Sequence, residues 1–222
     1  MKNNLKNLIK SNGTSILILG PLFIPQKTLL SSLKKTKPTL IVLVDRGNHH
    51  LKNIPKYARS NCISVGDGDS NQNSKLDILL NPKKDFSDLD FVINAISKEK
   101  SVLNVSALGF CACYSKSKKE ARFDHLFFNL GSFSRLCHKL LITISLDERF
   151  LFLPKGKHNL DFCGTFSLIS LKNQKIKITG NVEYKINKWK NVTQLSSLGL
   201  SNIAYGKVFI ESLHGIIIYK AL

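Results

Sequence analysis

Residues 62–70 read Cys-Ile-Ser-Val-Gly-Asp-Gly-Asp-Ser, an apolar run that stops at a glycine and gives way to two aspartates one residue apart. Cys62 to Val65 is short and carries β-branched Ile63 and Val65, as strands buried on both faces do. In an open parallel sheet the ligand crevice lies beyond the carboxyl ends of the strands. A strand running directly into Asp67 and Asp69 therefore predicts an α/β fold and the edge at which its chemistry sits. The plainer reading of Val-Gly-Asp-Gly-Asp-Ser is a polar turn held by side-chain-to-backbone hydrogen bonds of aspartate.

Outward from this stretch the first two-thirds of the chain alternates in the same way. Ser15 to Leu19, Thr39 to Val44 and Val102 to Ser106 are further short apolar runs. Between them, Gln26 to Lys35 places Leu29, Leu30 and Leu33 at helical spacing, and Asp88 to Ile96 places Leu89, Val92, Ile93 and Ile96 at i, i+3, i+4, i+7. Ser87 stands where a helix N-cap is needed, and Asp88 and Asp90 in the first turn suit the helix dipole. A further helix is expected over about Asp124 to Leu140, followed by a strand at Leu141 to Leu146. After Glu148 the pattern changes to short strand candidates separated by Gly, Asn, Lys and Pro: Phe150–Leu153, Thr165–Leu171, Lys175–Thr179, Val182–Ile186, Lys207–Glu211 and Gly215–Tyr219. The expected organisation is an α/β N-terminal domain with a parallel sheet over residues 1–148, then a small all-β sandwich domain over 149–222.

Composition narrows the function classes. The chain has 222 residues, 43% of them hydrophobic, enough for a real core. No apolar run approaches the roughly 20 residues of a membrane helix, and the basic start, MKNNLKNLIKSNG, has no long apolar stretch after it. The five cysteines, at 62, 111, 113, 137 and 163, form no paired CxxC units and read as free thiols of a reduced, cytoplasmic compartment. Cys111 and Cys113 leave a metal reading open without supplying its second pair. The net charge of +18 comes from 28 lysines and only 5 arginines, spread over the chain. Base readout and bidentate phosphate recognition favour arginine, so this charge predicts a general attraction for polyanions, nucleotides included.

Against that background the acids are unevenly placed. Of 15 Asp and Glu, six lie between Asp67 and Asp90, at 67, 69, 77, 85, 88 and 90, and all six are aspartate. Asp45 follows the strand ending at Val44 and adds a carboxylate at the same sheet edge. Hard Mg²⁺ takes oxygen ligands, and it usually keeps waters and substrate phosphates for the rest of its shell. The joint pattern points to a metal–phosphate site.

The blocks VDRGN (44–48), GDGDS (66–70), KDFSDLD (84–90), ARFDH (121–125), FSLISL (166–171) and LSN (200–202) occur in an order that resembles the thiamine pyrophosphokinase family, over about residues 40–222. The resemblance implies a homodimer that moves a diphosphoryl group from ATP to the hydroxyl of thiamine, releasing AMP, with Mg²⁺ as cofactor. It implies that Asp67, Asp69 and Asp88 hold the metal, and that Asp45, Ser70, Lys84, Asp85, Ser87 and His125 contact the nucleotide. Asp69, Asp88, Arg122 and Asp124 then carry the reaction, with Arg122 on phosphate. Ser201 and Asn202 fall in the block that contacts thiamine across the dimer interface. Tyr184 or Trp189 is a candidate aromatic wall for a cationic ligand, though each reads first as an ordinary core or edge residue of the sheet.

The chain departs from the family pattern at several points. Arg46 stands at the second glycine of the first block, Lys83 at an aspartate of the third, and Glu120 and Ala121 at the two glycines before Arg122. Gly199 and Leu200 replace a Ser-Thr, and a lysine-rich insertion covers about Cys111 to Lys119. Other readings stay open beside the kinase. They are a relative with another acceptor alcohol such as a pterin, a Mg-nucleotide binder without turnover, and a basic nucleic-acid-binding protein. Arg122 and Asp124 also read as a helix-start ion pair, and His125 as a packing or capping residue.

Overall fold

The computed structural model describes residues 5–12, 14–69, 76–111 and 122–221. Contacts divide the chain into two compact units, Met1–Ser132 and Phe133–Leu222.

In the first unit the apolar runs form the strands β1 (Ser15–Leu19), β2 (Leu40–Val44), β3 (Cys62–Gly66), β4 (Ile78–Leu79) and β5 (Asn104–Leu108). They pair in parallel in the order β5-β1-β2-β3-β4. Helix α1 (Leu5–Asn12) precedes β1, α2 (Gln26–Thr36) follows it, the four-residue α3 (Lys56–Arg59) precedes β3, and α4 (Asp88–Ile96) precedes β5. Alternation along the strands sends Leu17, Leu19, Ile41 and Leu43 into one core with Leu29 and Leu33 of α2. Helices α1 and α4 touch each other and β2. β5 begins two residues later than the apolar run suggests, with Leu103 N and Asn104 N both donating to Thr14 O just ahead of β1.

Helix α5 (Phe123–Leu140) runs across the division between the units. The sequence placed the boundary after Glu148. The contacts put it inside this helix, because Phe133 packs on Phe152 with ring centroids 5.9 Å apart. The short β6 (Ile144–Leu146) also belongs to the second unit, where it pairs antiparallel with β7 (Phe150–Leu153). Their turn uses Asp147 and Glu148 at φ 48° and 59°.

The second unit continues with β8 (Gly156–Ile169), β9 (Gln174–Val182), β10 (Ile186–Val192), β11 (Asn202–Ser212) and β12 (Ile216–Lys220). All pairs are antiparallel, in the order β7-β12-β8-β11-β9-β10. Ser212 pairs with both Gly156 and Ile176, so β8 and β9 start level on either side of β11. A straight strand of the length of β8 would end about 45 Å from its start, yet β9 begins only a short turn after Ile169. β8 must therefore bend back, and Gly164, at φ 121°, supplies a conformation that other residues resist. The bend lays the C-terminal part of β8 and β12 over β9 and β11. Phe166, Leu168, Ile176, Ile178, Ile210 and Ile218 fill the space between. Where the sequence suggests a sandwich, the pairing gives one continuous antiparallel sheet around a shared core.

Among the described residues, no helix is long and apolar enough to cross a membrane.

Candidate active site

The carboxyl ends of the parallel strands are packed closely enough to set backbone positions. Asp45 leaves β2 at φ 54° and opens the 3-10 segment Asp45–Asn53. A Cβ on Gly47 would stand 2.3 Å from Leu19 O, so only glycine lets this segment lie on the end of β1. His50 in the same segment is 1% exposed. Its Nε2–H donates to Leu22 O at 3.0 Å, while Nδ1 is buried without a partner. Burial, aided by the neighbouring His49, pushes the His50 pKa from 6.5 down to about 4.

That depression has a signed consequence. Between pH 6.5 and about 4 the unfolded chain binds a proton at His50 that the folded chain refuses, so stability falls as pH drops through this window. From pH 7 to 4.5, urea unfolding of the wild type should show a loss on the order of 2–3 kcal/mol that His50→Gln does not share. Equal losses in both proteins would contradict this.

The candidate site lies at the end of β3. Asp69 N donates to Asp67 Oδ1 at 3.3 Å, so the turn reading of Gly-Asp-Gly-Asp is correct as far as the backbone goes. Asp67 Oδ2 is turned the other way, 2.5 Å from Lys84 Nζ, and the same ammonium lies 2.9 Å from Asp88 Oδ1. The Lys84, Asp67 and Asp88 side chains are only 8%, 13% and 11% exposed. Asp88 is held there by the helix start. Ser87 Oγ caps α4 by accepting from Asp90 N at 3.0 Å, as the sequence predicts. Gly66 closes the group, since a Cβ there would lie 3.3 Å from Asp45 Cα and 3.5 Å from Asp88 Oδ2. Asp67, Lys84 and Asp88 thus converge from the end of β3, the segment before α4 and α4 itself, with the backbone of Asp45 close to Gly66.

The electrostatics are uneven. The Lys84 hydrogen bond holds the Asp67 carboxyl below its ordinary pKa. Burial raises Asp88 despite the same ammonium. Burial opposes the charge on Lys84, but the two carboxylates outweigh it and its pKa rises.

The remaining acids of the run do other work. Asp77 Oδ2 accepts from Ser64 N and Ser64 Oγ, both at 2.8 Å, and ties the segment before β4 to β3. Asp90 accepts from Ser87 Oγ and from Ser132 Oγ, the latter at 2.6 Å, fixing α4 to α5. Asp69 and Asp85 are exposed. Ser70, Glu120, Ala121 and the insertion beyond Cys111 lie outside the described residues.

Arg122 and Asp124 pair with each other at 2.6 Å at the start of α5, with side chains 65% and 50% exposed. This is the helix-start ion pair allowed for in the sequence, and His125 beside it is exposed. In the second unit Ser201, at φ 54°, donates its N–H to Ser167 Oγ at 3.0 Å. Asn202 is 1% exposed. Its amide accepts from Tyr184 N and Ile203 N and donates to Tyr184 O. Its side chain therefore holds the Tyr184 turn instead of being offered to a ligand. Tyr184 and Trp189 are both largely exposed.

A metal needs only part of this set. Among the described residues no three acid, histidine or cysteine side chains are arranged to hold an ion by themselves. Mg²⁺ bound through one or two carboxylates and the phosphates of a substrate does not require three. The Asp67–Asp88 pair fits a metal that arrives with phosphate better than one held permanently by protein.

Among solved structures the chain is similar to thiamine pyrophosphokinase from Bacillus subtilis, with a TM-score of 0.66 at 18% identity, covering 93% of this chain and 99% of that one. A thiamin pyrophosphokinase family protein from Enterococcus faecalis gives a TM-score of 0.67 at 16% identity, covering 94% and 99%. The Candida albicans thiamin pyrophosphokinase gives 0.65 at 16% identity, covering 91% and 88%. The chain has the thiamine pyrophosphokinase fold. No family model and no curated protein matches the sequence. The fold extends over both units, since more than nine-tenths of the chain is covered in each of these matches.

Sequence reasoning missed the part Lys84 plays. Lys84 reads as a nucleotide contact, and the structure makes it the shared counter-ion of Asp67 and Asp88. The i, i+4 spacing of Lys84 and Asp88 across the helix start was the available signal.

Proposed function

We propose that this protein is an ATP:thiamine diphosphotransferase. The observation that carries the reading is the Asp67–Lys84–Asp88 cluster at the carboxyl edge of a parallel sheet, in a chain with the thiamine pyrophosphokinase fold. In the proposed reaction the thiamine hydroxyl oxygen forms a bond to the β-phosphorus of ATP. The bond from that phosphorus to the α–β bridging oxygen breaks, AMP leaves, and the hydroxyl proton passes to solvent. Such transfers depend on positioning and on offsetting phosphate charge more than on covalent help from the protein. Mg²⁺, when bound, supplies part of that charge. Asp67 and Asp88 are its proposed protein ligands, with Asp69 and Asp45 at the same edge. Lys84 and Arg122 are the cations proposed for phosphate, and Asp124 sets the orientation of Arg122. Ser70, Asp85, Ser87 and His125 complete the proposed nucleotide side, and Ser201 lies on the thiamine side. We propose a cytoplasmic homodimer with the site completed between subunits, as the sequence resemblance implies.

With Mg-ATP and thiamine the purified protein should yield thiamine diphosphate and AMP in equal amounts. ADP as the nucleotide product, or no turnover over a range of Mg²⁺ and pH, would overturn the reading. ATP binding should need Mg²⁺ and survive moderate salt, whereas diffuse attraction of a polyanion needs no Mg²⁺ and collapses steeply with salt.

One observation favours a different acceptor within the same chemistry. The amide of Asn202 is spent on backbone groups, and Gly199 and Leu200 replace hydroxyl residues of the family block. AMP formed with a pterin alcohol and not with thiamine would select that alternative.

A further inference from the structure

We propose that Lys84 is a built-in counter-ion that excludes free divalent metal from the Asp67–Asp88 pair, so that the metal enters only together with a nucleotide's phosphate chain, to which the ammonium then transfers. The proposal rests on the reading of this cluster as a metal–phosphate site. Lys84 Nζ stands 2.5 Å from Asp67 and 2.9 Å from Asp88, the position a cation shared by the two carboxylates would take. A second cation bridging the same oxygens would stand within a few ångströms of the ammonium, and with only 8% of the Lys84 side chain exposed, water does little to screen that repulsion.

The charge balance points the same way. Two carboxylates and one ammonium leave a net charge of −1, and no further acid, histidine or cysteine among the described residues joins them as a three-ligand site. A polyphosphate brings the negative charge that lets a divalent metal and an ammonium occupy one site. Lys84 is also built to move. The turn beneath it is fixed by Lys83 N donating to Asn81 Oδ1 at 2.9 Å and by Lys84 N donating to Asn81 O at 3.3 Å. Beyond that anchored backbone the ammonium rides on a flexible four-carbon stem, so it can exchange carboxylate for phosphate oxygens without a change of fold.

The test is Mn²⁺ binding to nucleotide-free protein, read by the loss of the free-ion paramagnetic resonance signal. Lys84→Met should bind Mn²⁺ at least about tenfold more tightly than the wild type. Lys84→Arg, which keeps the charge, should stay at the wild-type level. Equal Mn²⁺ affinity in wild type and Lys84→Met would overturn the proposal. A second measurement needs no variant: millimolar Mn²⁺ should leave the thermal midpoint of the nucleotide-free wild type unchanged, and a clear rise would overturn the proposal as well. Neither readout uses thiamine or turnover. Failure to form thiamine diphosphate therefore sinks the proposed reaction alone, and tight metal binding without nucleotide sinks this inference alone.

Discussion

Asp88→Asn should lower diphosphoryl transfer on the order of 10²–10³-fold, the usual loss when one preorganised electrostatic group is removed from a phosphoryl or acyl transfer site. The substitution keeps the shape of the side chain and its place in the first turn of α4, which is capped independently by Ser87. What it removes is one of the two carboxylates on Lys84. The pair that remains, Lys84 with Asp67 at 2.5 Å, is balanced in charge. The buried carboxylate that disappears was also the one whose charge burial opposes. Stability should consequently change by no more than about 1 kcal/mol, because no ion is left unpaired. Turnover and thermal unfolding of the same preparation check both halves. Asp69→Asn should share the loss of activity, and undiminished turnover in both variants would place the metal elsewhere.

The largest effect on stability is expected from Phe166→Ala. Phe166 is fully buried at the bend of β8, where it pairs with both Asn202 of β11 and Lys220 of β12. Its ring meets Phe162 edge-on with centroids 5.4 Å apart. Truncation leaves a cavity between two layers of one hydrogen-bonded sheet, which cannot collapse without breaking ladder bonds. The cost should be about 3–5 kcal/mol for unfolding of the second unit. The shift in urea midpoint at constant slope measures it, and a loss below about 1 kcal/mol would show that the folded-over sheet does not depend on this side chain.

These two residues also mark how far the sequence could be read. The α/β unit is legible because its strands are buried on both faces and two of them run into aspartates. Val65 running into Asp67, and Ser87 preceding Asp88, are local signals that survive folding unchanged. The second unit is harder because its strands are only partly covered. β10, Ile186–Val192, is exposed at nearly every position, so it shows no period-2 alternation, and the expected strand Val182–Ile186 overlaps it only at Ile186. The first half of β8 hides its alternation in half-buried His158, Leu160 and Phe162 between polar neighbours, and Gly164 interrupts the run. The 3-10 segment Asp45–Asn53 has neither period, and what holds it is the contact of Gly47 with Leu19 O. Contacts of this kind join residues far apart in sequence and leave no local pattern.

The site divides along the same line. Asp67 and Asp88 share Lys84 because each stands at an element end that the sequence reveals, and Asp45 follows β2 at the same sheet edge. The bridge by Lys84 depends on the turn at Asn81, and the burial of Asn202 depends on Tyr184, neither of which composition or spacing specifies. Asp77 and Asp90 belong to the same acidic run and prove to be structural, since their oxygens are taken by Ser64, Ser87 and Ser132. Counting aspartates finds the region, and hydrogen-bond accounting separates Asp77 and Asp90 from the proposed site.

ATP labelled on its β-phosphorus gives the most direct measurement of the central claim, that the Asp67–Asp88 edge serves transfer of a diphosphoryl group. With Mg²⁺ and thiamine, all transferred label should appear in thiamine diphosphate, beside an equal amount of unlabelled AMP. Label retained in ADP, or left entirely in ATP, would contradict it.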